Sequence, residues 1–162
     1  MKPGVRKFLF LNGHGGNDPS LDKVGLEAFR DGGLCAQINW WAVATMLNPK
    51  WTTGHGDAQE VAMVRAIDPT LVHDASLVPT IVNNMSDNLE NTHLGQVRFN
   101  NAFVKVIRDV RATINTGGFG GLDSSLGTLE WGREMKDAVE NYCVAFVDEF
   151  RKVDLEKAHT HE

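Results

Sequence analysis

The sequence predicts an α/β fold with a parallel sheet. Three observations carry that expectation: a short β-rich run that breaks into a glycine-rich loop, a helical pattern followed by a second apolar run, and a long amphipathic helix near the end. Strand, loop, helix and strand within about 35 residues make the βαβ unit from which parallel sheets are built. Lys7 to Leu11 reads as the first, buried strand, ending at Asn12-Gly13. Asn12-Gly13-His14-Gly15-Gly16-Asn17-Asp18-Pro19 carries too much glycine for a regular element and reads as a loop. Ser20 is the expected N-cap of a helix with apolar Leu21, Val24, Ala28 and Phe29, and Gly32-Gly33 is its stop signal. Leu34 to Trp41 reads as the second strand.

Asn48 to Asp57 is irregular, being rich in Pro, Thr and Gly, and Ala58 to Ile67 is a helix ended by Asp68-Pro69. Residues 70–100 are polar with several Asn and read mostly as loop; Phe103 to Ile114 alternates and reads as a strand. Gly117-Gly118-Phe119-Gly120-Gly121 is a glycine loop. From Trp131, the residues Met135, Ala138, Val139, Tyr142, Phe146, Val147 and Phe150 fall at offsets of 4, 7, 8, 11, 15, 16 and 19, one stripe of a helix. Thr128 is its expected N-cap, and Glu130 suits the positive end of the helix dipole. No repeat, low-complexity tract or linker divides the chain. Residues 1–152 are therefore expected to form one domain, with 153–162 a charged, fraying tail.

The chain has 162 residues, of which 42% are hydrophobic and 23% charged, the composition of a globular protein. Its 16 Lys+Arg against 21 Asp+Glu leave a net charge of −5, which argues against a nucleic-acid-binding face. No apolar run approaches the length of about 20 residues that spans a bilayer. Phe8-Leu9-Phe10-Leu11 is too short for a secretory segment, so a cytoplasmic location is expected. Cys35 and Cys143 cannot make a disulfide framework or a Cys-based zinc site; in apolar surroundings they read as buried free thiols.

Two motifs could carry chemistry. Gly13-His14-Gly15-Gly16-Asn17 follows a strand, at the end where α/β proteins place ligands. It is open to three readings: a phosphate cradle, a metal site in which His14 is a ligand and the glycines leave room for metal and substrate, or a tight turn with an incidental histidine. The phosphate reading lacks the spacing of known phosphate loops. The second motif, Trp51-Thr52-Thr53-Gly54-His55-Gly56-Asp57-Ala58-Gln59-Glu60, places a histidine before a helix and a carboxylate in its first turn. An imidazole with a carboxylate companion suits general acid–base work. The competing reading makes His55 a loop residue, Glu60 a complement to the helix dipole and Trp51 a core residue rather than a pocket wall. Trp40-Trp41 read as core, with a pocket wall the alternative, and the 117–121 loop as either a turn or a substrate-facing lid. His73, His93, His159 and His161 have no partners at ligand spacing and read as solvated or structural.

In order along the chain, Leu11 to Asn17, Asn39-Trp40-Trp41, His55 to Glu60, Ala66-Ile67-Asp68-Pro69, Thr116 to Gly121 and Gly127 to Arg133 resemble the creatininase (creatinine amidohydrolase) family. The resemblance implies a three-layer αβα fold with a mostly parallel sheet and a metal-dependent hydrolase of amide C–N bonds. It implies a divalent cofactor, zinc or manganese, binuclear in the family. His14 matches the metal-binding histidine, His55 the proton shuttle and Glu60 its acidic companion. Trp51 matches a substrate-side residue, and Gly15, Gly16 and Asn17 are expected beside the substrate. Gly16 stands where creatininase proper has a metal-binding Glu, the form found in the broader family, so formamide or peptide-like amides join creatinine-like lactams as expected substrates. The family's Glu-x-His-Gly motif and its following Asp do not occur in the sequence. The chain is thus expected to be the C-terminal half of the family fold, completed by a missing half or an N-terminal partner chain, and to form homo-oligomers. The reading from a different class is a truncated, non-catalytic α/β module that binds a partner or ligand.

Overall fold

A computed structural model describes residues 4–52, 54–74, 81–114 and 123–160. The chain divides into two compact units, Met1–Leu47 with Asp137–Glu162, and Asn48–Lys136. No helix among the described residues is long and apolar enough to cross a membrane.

The first unit opens with the expected βαβ unit. Strand β1 (Lys7–Asn12) pairs in parallel with β2 (Leu34–Asn39), in register from Lys7↔Leu34 to Asn12↔Asn39. Both are half-buried for most of their length rather than fully buried. Between them runs α1 (Asp18–Arg30). Its cap is Asn17, and Ser20 lies inside the helix. Pro19 explains the earlier start, because its fixed φ suits the first helical turn and its missing N–H costs nothing there. The helix ends as expected. Gly32 adopts a φ of 76°, its N–H bonds to the Phe29 carbonyl at 2.9 Å, and Gly33 N–H bonds to the Ala28 carbonyl at 2.8 Å. This is the Schellman arrangement.

The run Leu34 to Trp41 is not one strand. It changes at Asn39 into α2 (Trp40–Leu47), whose Val43 and Ala44 are buried. An unbroken apolar run has no period that separates strand from helix. Nor does the loop after β1 lack regular structure, for Gly15–Asn17 form a turn of 3₁₀ helix. The tail does not simply fray either. Asp154 caps α5 (Leu155–His159), and His159 stacks on Phe29 with ring centroids 4.0 Å apart while its Nε2 lies 3.1 Å from the Gly33 carbonyl oxygen. Cys35 on β2 and Cys143 are half-buried free thiols, and burial pushes both thiols above their ordinary pKa.

The second unit contains α3 (Ala58–Ile67), a three-stranded sheet and the start of α4 (Leu129–Lys152). Thr128 caps α4 as expected, accepting from Trp131 N–H at 3.1 Å. Glycines bring α3 and α4 into backbone contact. A Cβ on Gly132 would lie 1.9 Å from the Ala62 carbonyl oxygen, and one on Gly127 2.6 Å from that of Ala58. The sheet is a correction to both the loop expected over 70–100 and the mostly parallel sheet. Strands β3 (Glu90–His93), β4 (Gln96–Phe99) and β5 (Ala102–Lys105) run antiparallel in that order. Asn100, at a φ of 51°, turns β4 into β5, a conformation asparagine tolerates. The strand expected over Phe103 to Ile114 ends early. After Lys105 only Val106 N–H continues the pairing, and Asp109 caps a 3₁₀ turn, Val110–Ala112. Ile114 forms an isolated bridge with Val82. The 117–121 glycine loop lies outside the described residues.

Candidate functional site

In the first unit the site is built at the carboxyl ends of β1 and β2. Asn12 closes β1 and is buried, with 3% exposure. Its Oδ1 accepts from His14 N–H at 3.2 Å and Asn17 Nδ2 at 3.0 Å, and its Nδ2 donates to Asp18 Oδ1 at 2.8 Å and Asn39 Oδ1 at 3.0 Å. Gln37 Nε2 donates to the same Asp18 oxygen at 2.6 Å and to Asn39 Oδ1 at 2.7 Å. One buried amide thus fixes the glycine loop, the start of α1 and the end of β2 together. An open cavity of about 470 Å³ lies beside this network, with Asp18, Gln37, Asn39, Met46 and Phe146 among its lining residues. Sequence reasoning missed Asp18, Gln37 and Asn39. The available signal was the polar residue at alternate positions, 37 and 39, closing an otherwise apolar strand.

His14 is exposed, with extended backbone at φ −154° and ψ 129°. Its Nδ1 accepts from Gly16 N–H at 3.1 Å. Glycine at position 16 leaves room for this contact: a Cβ there would lie 2.8 Å from His14 Cε1, so the ring would have to shift. Gly15 has more room, with Trp41 Cζ2 3.7 Å from the position of its Cβ. Asn17 N–H bonds to the His14 carbonyl at 3.0 Å. The N–H groups of His14, Gly16 and Asn17 are therefore taken within the loop and are not offered to a phosphate. The metal reading is tested by the same geometry. A neutral imidazole that accepts at Nδ1 carries its proton on Nε2, whereas a metal-binding histidine donates through the nitrogen that does not bind. Among the described residues no group of three or more His, Cys, Asp or Glu could hold a metal ion. A zinc centre needs at least three protein ligands. The described residues do not fit the metal.

In the second unit, His55 is half-buried between Gly54 and Gly56. Gly56 has a φ of 62°, in the left-handed region that glycine occupies without strain. Asp57 is buried and caps α3, accepting from Gln59 N–H at 3.0 Å and Glu60 N–H at 3.4 Å. Glu60 reaches back, and its Oε2 accepts from Gly56 N–H at 2.5 Å. This is a capping-box exchange moved one residue outward. Glu60 is therefore joined to the peptide that follows His55. Ser124, from a 3₁₀ turn at Ser124–Leu126, donates its hydroxyl to the Gly56 carbonyl at 2.8 Å. Trp51 is buried at 7% exposure, and its carbonyl accepts from Gln59 Nε2 at 2.9 Å. Trp40 and Trp41 are half-buried on α2 and meet edge to face, 6.2 Å apart. The candidates thus fall into two sets. His14, Gly15, Gly16 and Asn17 are gathered by Asn12 in the first unit, and Trp51, His55 and Glu60 surround the start of α3 in the second.

A mixed α/β protein with a polar, glycine-rich loop at the carboxyl ends of parallel strands belongs to the class that binds its ligands there. The particular family is identified by its model: the creatininase family model, described as creatinine amidohydrolase, matches residues 1–147, and the chain belongs to that family. The family is one of metal-dependent amidohydrolases in general. No curated protein and no solved structure matches the chain.

Proposed function

We propose that this chain supplies the proton-transfer part of an amide-cleaving site of the creatininase type. The observation that carries the reading is the anchoring of His55: the glycine that follows it is held through its N–H by Glu60 and through its carbonyl by Ser124. An imidazole on a fixed peptide can protonate the leaving nitrogen as an amide C–N bond breaks. The substrate class is a small amide, whether a creatinine-like lactam, a formamide or a peptide-like bond. A divalent ion, zinc or manganese, belongs to the same proposal. The described residues do not hold it, so its remaining donors are assigned to a missing half of the fold or an N-terminal partner chain. The three-layer αβα architecture and homo-oligomers belong to the same proposal. The test is hydrolysis of creatinine and of N-formyl amides by the completed protein, comparing His55→Ala with the parent at equal metal content. Turnover that survives His55→Ala refutes the role.

One observation favours a second reading, a non-catalytic module that binds a partner or ligand. His14, the best metal-donor candidate, spends its Nδ1 on its own loop. Amide hydrolysis by the completed protein decides against this reading.

A further inference from the structure

We propose that Ser124 is a positioning residue for His55, an inference that rests on reading His55 as the proton carrier. Two peptide planes meet at Gly56. The first joins His55 to Gly56, and its N–H is held by Glu60 Oε2 at 2.5 Å. The second carries the Gly56 carbonyl, held by the Ser124 hydroxyl at 2.8 Å. Between the planes Gly56 sits at a φ of 62°, a basin that glycine leaves as readily as it enters. Neither bond alone fixes both torsions of this residue. Together they select one conformation, and with it the peptide from which the imidazole projects.

The element that carries Ser124 is itself held in place. Asp123 Oδ1 accepts from Ser125 N–H at 2.8 Å and from the Ser125 hydroxyl at 2.7 Å. Gly127, just after the turn, is buried against the first turn of α3, as the 2.6 Å approach to the Ala58 carbonyl oxygen shows. Glu60 and Ser124 thus reach the same glycine from two elements that touch each other. Ser124 does so from 68 positions away in sequence. The hydroxyl is what matters. Alanine removes it, cysteine keeps the volume but donates weakly, and threonine keeps the donor.

The test uses the full chain, labelled with ¹⁵N and ¹³C, and reads the His55 ring and the Gly56 amide by nuclear magnetic resonance. Ser124→Ala is expected to move both sets of signals and to speed Gly56 amide exchange by about tenfold, the scale of one hydrogen bond. Amides in the last turn of α3 should stay where they are. Ser124→Thr should restore the parent signals. If Ser124→Ala does not fold, Ser124→Cys takes its place with the same expected shifts. Unmoved His55 and Gly56 signals in the variant that folds, or no restoration by Ser124→Thr, overturn the proposal. The two ideas fail separately: turnover that survives His55→Ala removes the proton carrier, and unmoved signals remove the clamp.

Discussion

Replacing glycine by alanine at two helical positions should change stability in opposite directions. Gly132 lies in α4 and Gly25 in α1. By intrinsic propensity both changes should stabilise, each by up to about 1 kcal/mol. Packing separates them. At Gly25 the new Cβ would meet the Cys35 Cβ at 3.5 Å, an ordinary contact, so the propensity gain should survive. At Gly132 the Cβ would lie 1.9 Å from the Ala62 carbonyl oxygen and 2.6 Å from its carbon. The obstacle is backbone, so no side chain can rotate away. Reaching even 3.0 Å requires 3.0 − 1.9 = 1.1 Å of separation between α3 and α4. Overpacking of this kind costs about 1–3 kcal/mol, and a rigid obstacle places it at the upper end. Set against the propensity gain, the net loss is about 2 kcal/mol, equivalent to a fall in Tm of about 4–8 °C for a chain of this size. Thermal denaturation followed by circular dichroism measures both variants. A Gly132→Ala protein as stable as the parent would refute the close approach of the helices, and a destabilised Gly25→Ala protein would refute the ordinary contact at that site.

Three further outcomes are expected. In the completed protein, His55→Ala should lower amide turnover by about 10²–10⁴-fold at unchanged metal content, measured by steady-state kinetics with elemental analysis. Hydrogen bonds from Ser125 hold the Asp123 carboxyl below the usual carboxylate range. Its contribution to the Ser124–Leu126 turn is therefore present above the unfolded pKa of about 4 and lost as pH falls through the lower folded value, with no change between about pH 5 and 8. Titration of the Ser125 amide signal checks this, and Asp123→Asn should abolish the acid transition. Calorimetry should find no sub-micromolar zinc binding by residues 1–162, and none on changing Gly16→Glu, which adds only one donor to His14.

How far the fold was legible depended on the signal each element offers. The β1–α1–β2 unit was readable because its period changes and glycines punctuate it. Gly32 and Gly33 close α1 as expected, and the parallel pairing of β1 with β2 follows. The N-cap was misplaced because Pro19 starts a helix more firmly than Ser20 caps one. The antiparallel strands were not readable. Each has four residues, and among them only Asn91 and Val97 are buried, so no apolar face stands out in the sequence. Helix α2 was hidden in the continuous apolar run that begins with β2. The site divides in the same way. The glycine loop and the His55 segment are local patterns that stand out in the sequence. Asp18, Gln37 and Asn39 act as a group only once the β1–β2 register is known, and Ser124 meets Gly56 only through the packing of its turn on α3.

The His14 geometry shows which obstacle to metal binding is the larger. Binding a metal through Nε2 puts the ring proton on Nδ1, which then no longer accepts from Gly16 N–H, a net cost of about 0.5–1.5 kcal/mol. A complete structural zinc site releases about 10–16 kcal/mol, so the self-engaged ring is no barrier once enough ligands are present. A glutamate at position 16 would push the ring away as well, since its Cβ would meet His14 Cε1 at 2.8 Å. That substitution removes the small obstacle and leaves the large one: two donors fall short of the three that a zinc centre requires. Among the described residues, donor count rather than the conformation of His14 therefore limits metal affinity. Further acidic and histidine donors supplied from a separate chain should raise that affinity far more than any substitution within the glycine loop.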